Sequence, residues 1–208
     1  MKFRNIIIIT LSLFLGACAS TTQLTKESSD SVKTIAFSEK VTIPEKAYYY
    51  GPEQGAGAVF GVIGAIIADA ATTKDELIVE YMKKNNIDIA SIAMNEFKNQ
   101  VKLNPRFAAK QNIEESKNPD AKFVVDVRIY GLSQTHGFSS VYRPMVGIAA
   151  KLVSANGEVM WEEYEYITAM NDGVEAVEFE EYFKDPAVLS GHFEKVTKNV
   201  VALLMQSL

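Results

Sequence analysis

Cysteine is all but missing from this chain: Cys18 is the only one in 208 residues. No disulfide can close within the chain, and no thiolate cluster can hold a metal. Histidine is nearly as scarce. A Ser-His-Asp hydrolase needs an imidazole base, yet only His136 and His192 exist, neither beside a nucleophile motif. His136 lies in the polar stretch 133–140 and His192 beside an apolar helical stripe, so both read as surface side chains. Without an HExxH pattern, a zinc hydrolase lacks its usual ligands. Positive charge is also short, at 21 Lys and Arg against 26 Asp and Glu. That deficit argues against the basic footprint on which nonspecific nucleic-acid binding depends. Long apolar runs are absent too. The two longest, 6–15 and 55–68, would rise about 15 and 21 Å as helices, against a hydrocarbon core of roughly 30 Å. The glycines of the second run lack the Gly-Lys-Ser/Thr ending of a phosphate loop. No cofactor and no metal is expected.

What is present begins with the leader. Lys2 and Arg4 form a positive start, residues 6–15 an apolar core, and Gly16 and Ala17 the small residues a signal peptidase needs. Leu15-Gly16-Ala17-Cys18 resembles the bacterial lipoprotein box. The resemblance implies cleavage before Cys18, acylation of its thiol, and a mature N-terminus carrying three acyl chains. Each buried methylene contributes about 0.8 kcal/mol, so such an anchor is effectively irreversible. Ala19, where retention in the inner membrane typically uses Asp, implies the outer membrane and a periplasmic domain. The alternatives are an ordinary secretory leader with an incidental cysteine, or a buried apolar helix with a free thiol. Loss of Lys2 and Arg4 with the leader leaves 19 basic against 26 acidic residues.

The chain divides into a signal peptide over 1–17, a lipidated tether over 18–31 and a folded domain over 32–208. The tether is assigned because 19–31 is rich in Ser and Thr and nearly free of large apolar residues. With 48% hydrophobic and 23% charged residues, the chain has the composition of a folded protein rather than a disordered one. Short strand-like runs cover 32–37 and 46–50. The run 55–68 follows, with Gly57 and Gly61 four apart and Gly64 and Ala68 four apart, a spacing that lets another backbone approach closely. It fits a buried helix or loop, a self-association surface, or a segment that inserts into membrane, although Asp69 and its shortness oppose the last.

Residues 74–84 read as a charged amphipathic helix. A second helix starts at Asp88, carries Ala90, Ala93, Phe97 and Val101 at helical spacing, and stops at Asn104-Pro105. Phe123, Val125, Val127 and Ile129 alternate with Val124, Asp126, Arg128 and Tyr130, a strand with one buried face. Val146, Ile148, Ala150 and Leu152 repeat the pattern, Asn156-Gly157 supplies a tight turn with positive φ, and 159–168 returns as the partner strand. Asp185 caps a last helix, with Pro186 in its first turn and Leu189, Phe193, Val196, Val200 and Leu204 as its stripe. The order predicts an α+β fold, a mixed sheet with helices packed on it, preceded by the glycine-rich segment. In this order, and in Ala121-Lys-Phe-Val-Val-Asp-Val-Arg128 with Gly157-Glu-Val-Met-Trp161, residues 85–208 resemble a group of envelope lipoproteins. These include the curli-secretion lipoprotein and activators of penicillin-binding proteins. The glycine-rich run departs from that pattern, and no binding residue carries over.

Three functional readings follow. A noncatalytic, lipid-anchored module would bind another envelope protein or its own copies, the latter through Gly57, Gly61, Gly64 and Ala68. A hydrolase of surface polymers would pair carboxylates from Glu162, Glu163, Glu165, Glu175, Glu178, Glu180 and Glu181, although charge runs are usually solvated faces. An oligomer would insert 55–68. Tyr48, Tyr49, Tyr50, Phe138, Tyr142 and Trp161 fill a core or its rim; exposed together, they would mark an interface.

Overall fold

The computed structural model describes residues 22–52, 73–171 and 173–208. The leader, Cys18, and the run 55–68 with Gly57, Gly61, Gly64 and Ala68 lie outside the described residues. The elements run α1 (Lys26–Ser31), β1 (Thr34–Phe37), β2 (Tyr48–Tyr50), α2 (Lys74–Lys84), α3 (Ile89–Leu103), β3 (Gln111–Asn112), β4 (Ala121–Gln134), β5 (Val141–Ser154), β6 (Val159–Ile167), β7 (Val177–Glu178) and α4 (Pro186–Ser207). The fold is α+β, with a mixed sheet ordered β3-β1-β4-β5-β6. β2 extends the sheet along the far half of β4, and β7 along β5. β1 and β2 run parallel to β4, whereas β4-β5 and β5-β6 are antiparallel.

The long hairpin β4-β5 is the frame, and its alternation decides which face is covered. Phe123, Val125 and Val127 point inward, as do Val146, Ile148, Ala150 and Leu152. Beyond Val127 the expected alternation fails. The register shifts between Val127 and Ile129, so Tyr130 is buried and Ile129 is left half-exposed, the reverse of the sequence pattern. A bulge at Arg128 adds one residue to one strand and thereby swaps the faces. The β5-β6 turn also differs in detail. Gly157 has φ +88° whereas Asn156 has no positive φ, and Ser154 N–H donates to Glu158 O at 2.9 Å, as in a turn with its bulge glycine at the end.

α3 and α4 cover the inner face. Asp88 accepts from Ala90 N–H and Asp185 from Ala187 N–H, each at 2.9 Å, which satisfies donors that the first helical turn leaves free. Leu189, Phe193, Val196, Val200 and Leu204 are fully buried, as expected. Phe123 centres the core, its ring 5.5, 5.4, 5.2 and 6.4 Å from those of Phe37, Phe97, Phe107 and Trp161. Trp161 satisfies its indole by donating to Ser207 Oγ at 3.2 Å.

The tether expected over 18–31 is not free over 22–31. Thr22 pairs antiparallel with Glu162 on the edge of β6, donating at 3.2 Å and accepting at 3.0 Å. Leu24 is buried, and Thr25 caps α1 by accepting from Ser28 N–H. Arg106 donates to Leu208 O at 2.9 Å and to Leu24 O at 3.4 Å, while Lys110 donates to Ser29 O and Val32 O. Ser- and Thr-rich composition read as flexibility because the contacts from Glu162, Arg106 and Lys110 come from residues 78 or more positions away. Among the described residues no helix is long and apolar enough to cross a membrane.

Candidate functional site

The sheet face opposite α3 and α4 carries an aromatic patch. On the edge strand β6, Tyr164 and Tyr166 alternate with Glu163 and Glu165 and stack with ring centroids 5.7 Å apart. They are 44% and 54% exposed. Tyr164 pairs with Ala149 and Tyr166 with Gly147, which in turn pairs with Ile129 across β4. The small residues on β5 leave room for the rings: a methyl group on Gly147 would lie 2.7 Å from both Tyr164 Oη and Ile129 Cγ2. Partial burial raises the Tyr164 hydroxyl pKa, as does Tyr166, while the nearby Arg128 charge opposes the shift. Arg128 projects beside the patch, 3.4 Å from Asp126.

A second cluster gathers at β2. Tyr49 stacks on Tyr142 at 5.8 Å, their hydroxyls are 3.0 Å apart, and Phe179 closes edge-on against both. Into this cluster reaches the nearly buried Lys74. Its Nζ donates to Tyr49 Oη at 2.9 Å and Pro52 O at 3.3 Å, and lies 5.0 and 4.8 Å from the Tyr49 and Phe179 ring centres. Burial lowers its pKa, partly offset by Glu180. The Nζ lies over two aromatic faces, and its hydrogen bonds tie the start of α2 to the chain just beyond β2.

The aromatics singled out by sequence therefore separate. Tyr49, Tyr142 and Trp161 are internal, Tyr48 and Tyr50 point outward from β2, and Phe138 stands fully exposed in the β4-β5 loop. The stacked pair Tyr164 and Tyr166 was not distinguished by sequence, although its strict alternation with Glu163 and Glu165 on one strand is a legible signal.

The acids do not converge. Glu163 and Glu165 stand side by side on one edge strand, and Glu165 is shifted upward by burial and then by Glu163. Carboxylates that cleave glycosides face each other across a bound sugar. Glu181 pairs with Lys184, and Glu178 lies in β7 opposite Val141. None of the seven lines the four principal grooves of the described residues. The largest, about 650 Å³, opens between the N-terminal ends of α3 and α4 and is lined by Asn85, Asn86, Asn95 and Asn99 with Asp88, Glu96 and Glu194. His136 is exposed, and His192 bonds Val188 O at 2.7 Å with its ring against Tyr182. No group of three His, Cys, Asp or Glu able to hold a metal occurs among the described residues.

No protein-family model and no curated protein matches the chain. Among solved structures it is similar to protein XCC0632 from Xanthomonas campestris, of the DUF330 family, at 12% identity over 90% of this chain and 86% of that one, with a TM-score of 0.42. It is also similar to the PelC dodecamer from Paraburkholderia phytofirmans, at 15% identity over 91% and 95% of the two chains, with a TM-score of 0.35. Lipoprotein GNA1162 from Neisseria meningitidis is similar at 17% identity over 83% of this chain and 98% of its own, with a TM-score of 0.24.

Proposed function

We propose that this chain is a lipid-anchored protein of the bacterial envelope, held by acyl chains on Cys18, whose folded domain binds another envelope protein or further copies of itself without catalysing a reaction. One observation carries the anchoring: Leu15-Gly16-Ala17-Cys18 stands just ahead of Thr22, the first of the described residues, which pairs with Glu162. A leader removed at Cys18 would leave every described element in place. Ala19 favours the outer membrane, with the domain in the periplasm. The binding role is supported by an open aromatic sheet face and by carboxylates that stand apart rather than across a cleft. In the self-association version, Gly57, Gly61, Gly64 and Ala68 let protomers approach closely.

Cells expressing the wild type and Cys18→Ser, grown with an alkyne fatty acid, test the anchor. The wild type is expected in the membrane fraction with label, and Cys18→Ser without it; an unlabelled, soluble wild type overturns the reading. Mild crosslinking of the lipidated protein in intact cells then tests the binding role. One stoichiometric partner, or self-crosslinks lost in Gly61→Leu, supports it, and monomer alone overturns it.

A further inference from the structure

We propose that the open face of β6, centred on Tyr164 and Tyr166, rests on the headgroup layer of the same membrane that holds the chain's acyl group. This rests on the anchoring reading, and begins from chain length. Three residues, Ala19, Ser20 and Thr21, separate Cys18 from Thr22, so over four Cα steps an acylated Cys18 reaches at most about 14 Å from the β6 edge. The domain has no long tether on which to stand away from the surface.

Direction narrows the choice. Thr22 pairs antiparallel with Glu162, so at Thr22 the N-terminal direction of the backbone points along β6 toward Tyr164 and Tyr166. At about 3.4 Å per residue those side chains lie roughly 7 and 14 Å beyond Glu162, within the span the link allows. Two faces of β6 compete for the membrane. The helix side offers Glu163 and Glu165, whose carboxylates repel phosphate. The open side offers two stacked tyrosines and the half-exposed Ile129, with the cations Arg128 and Lys151 matched in number by Asp126 and Glu162, so its aromatic surface rather than net charge distinguishes it.

That second set matches a headgroup layer. Tyrosine has an apolar ring and a hydroxyl that prefers water, and it collects at membrane interfaces for that reason. Arginine forks onto phosphate oxygens in paired hydrogen bonds. Gly147 and Ala149 beneath the rings keep the patch low and flat, so both tyrosines meet one plane together. An acyl anchor at the strand's edge would raise the local concentration of lipid against this face, so weak contacts suffice to orient the domain.

The test uses full-length, lipidated protein on vesicles of phosphatidylethanolamine and phosphatidylglycerol containing lipids brominated near the headgroup. Trp161 is fully buried, so the wild type gives a low baseline of quenching. Tyr166→Trp is expected to be quenched at least threefold more than Leu103→Trp, which places its reporter on the helix layer. Tyr164→Trp is a second reporter should the first variant fold poorly. Intact mass and vesicle flotation are read on the same samples. Acyl chains present with both tyrosine-site reporters quenched no more than Leu103→Trp overturn the docking alone, as does shielding of the reporters by a second copy. Absence of acyl chains overturns the anchor and the docking with it.

Discussion

At the residue scale, Gly131 and Gly191 make opposite demands. Gly131 has φ +155°, and a methyl group there would sit 1.8 Å from the Tyr48 carbonyl oxygen, a backbone atom that cannot rotate away. Gly131→Ala must push β2 off β4 and is expected to cost about 1–3 kcal/mol in urea unfolding. Gly191 lies exposed inside α4 with nothing within 4 Å of an added methyl, so Gly191→Ala is expected to gain about 0.5–1 kcal/mol in the same assay. Asp120 carries a pH dependence. Its carboxylate accepts from Thr34 N–H at 2.8 Å and Lys33 N–H at 2.9 Å, bonds that lower its pKa below the usual 3.8. A depressed carboxylate stabilises the folded state fully above its unfolded pKa and loses that contribution as pH falls through its folded pKa. The stability difference between wild type and Asp120→Ala is therefore expected to be constant near neutrality and to shrink below about pH 4; thermal unfolding across that range reads it directly. Gly131 and Asp120 do not stand out in the sequence, because each depends on backbone atoms far away along the chain.

At the element scale, legibility followed local chemistry. α3 and α4 were readable from cap to stop because Asp88, Asp185 and Pro186 act within one turn of where they stand, and the apolar stripes repeat on the helix's own period. β4 was readable only as far as Val127. The bulge at Arg128 is imposed by pairing with β5, and beyond it the assignments of Ile129 and Tyr130 are reversed. α1 was missed altogether, since its six residues and one local cap at Thr25 carry little periodicity, and Arg106, Lys110 and β6 hold the segment around it from far along the chain. Leu24 tests that difference. A tether residue tolerates any substitution, whereas a side chain 6% exposed against the core does not. Leu24→Ala is expected to cost about 2–4 kcal/mol, and an unfolding midpoint equal to the wild type would restore the tether.

At the scale of the whole molecule, the lost tether changes what an anchor can do. With Cys18 acylated as proposed, a domain pinned at Thr22 would have its β6 edge held close to the lipid, and membrane contact and orientation would be coupled. Inserting about 20 Gly and Ser residues between Ala19 and Thr22 gives a coil whose mean span is on the order of 25 Å, which lowers the local concentration of lipid at Tyr164 and Tyr166. Fatty-acid labelling and flotation are expected to stay unchanged while quenching of the Tyr166→Trp reporter falls by half or more; unaltered quenching would show that the patch binds lipid without help from the link. By itself the sequence determined the α+β class, the capped starts of α3 and α4 and the scarcity of Cys and His, because composition, caps and periodicity act over a few residues. Only the tertiary structure decided that residues 22–31 belong to the fold, that the acids stand apart, and that Tyr164 and Tyr166 share one open face. Those facts depend on strand pairing and on which side the helices cover, and both are set by contacts between residues far apart in the chain.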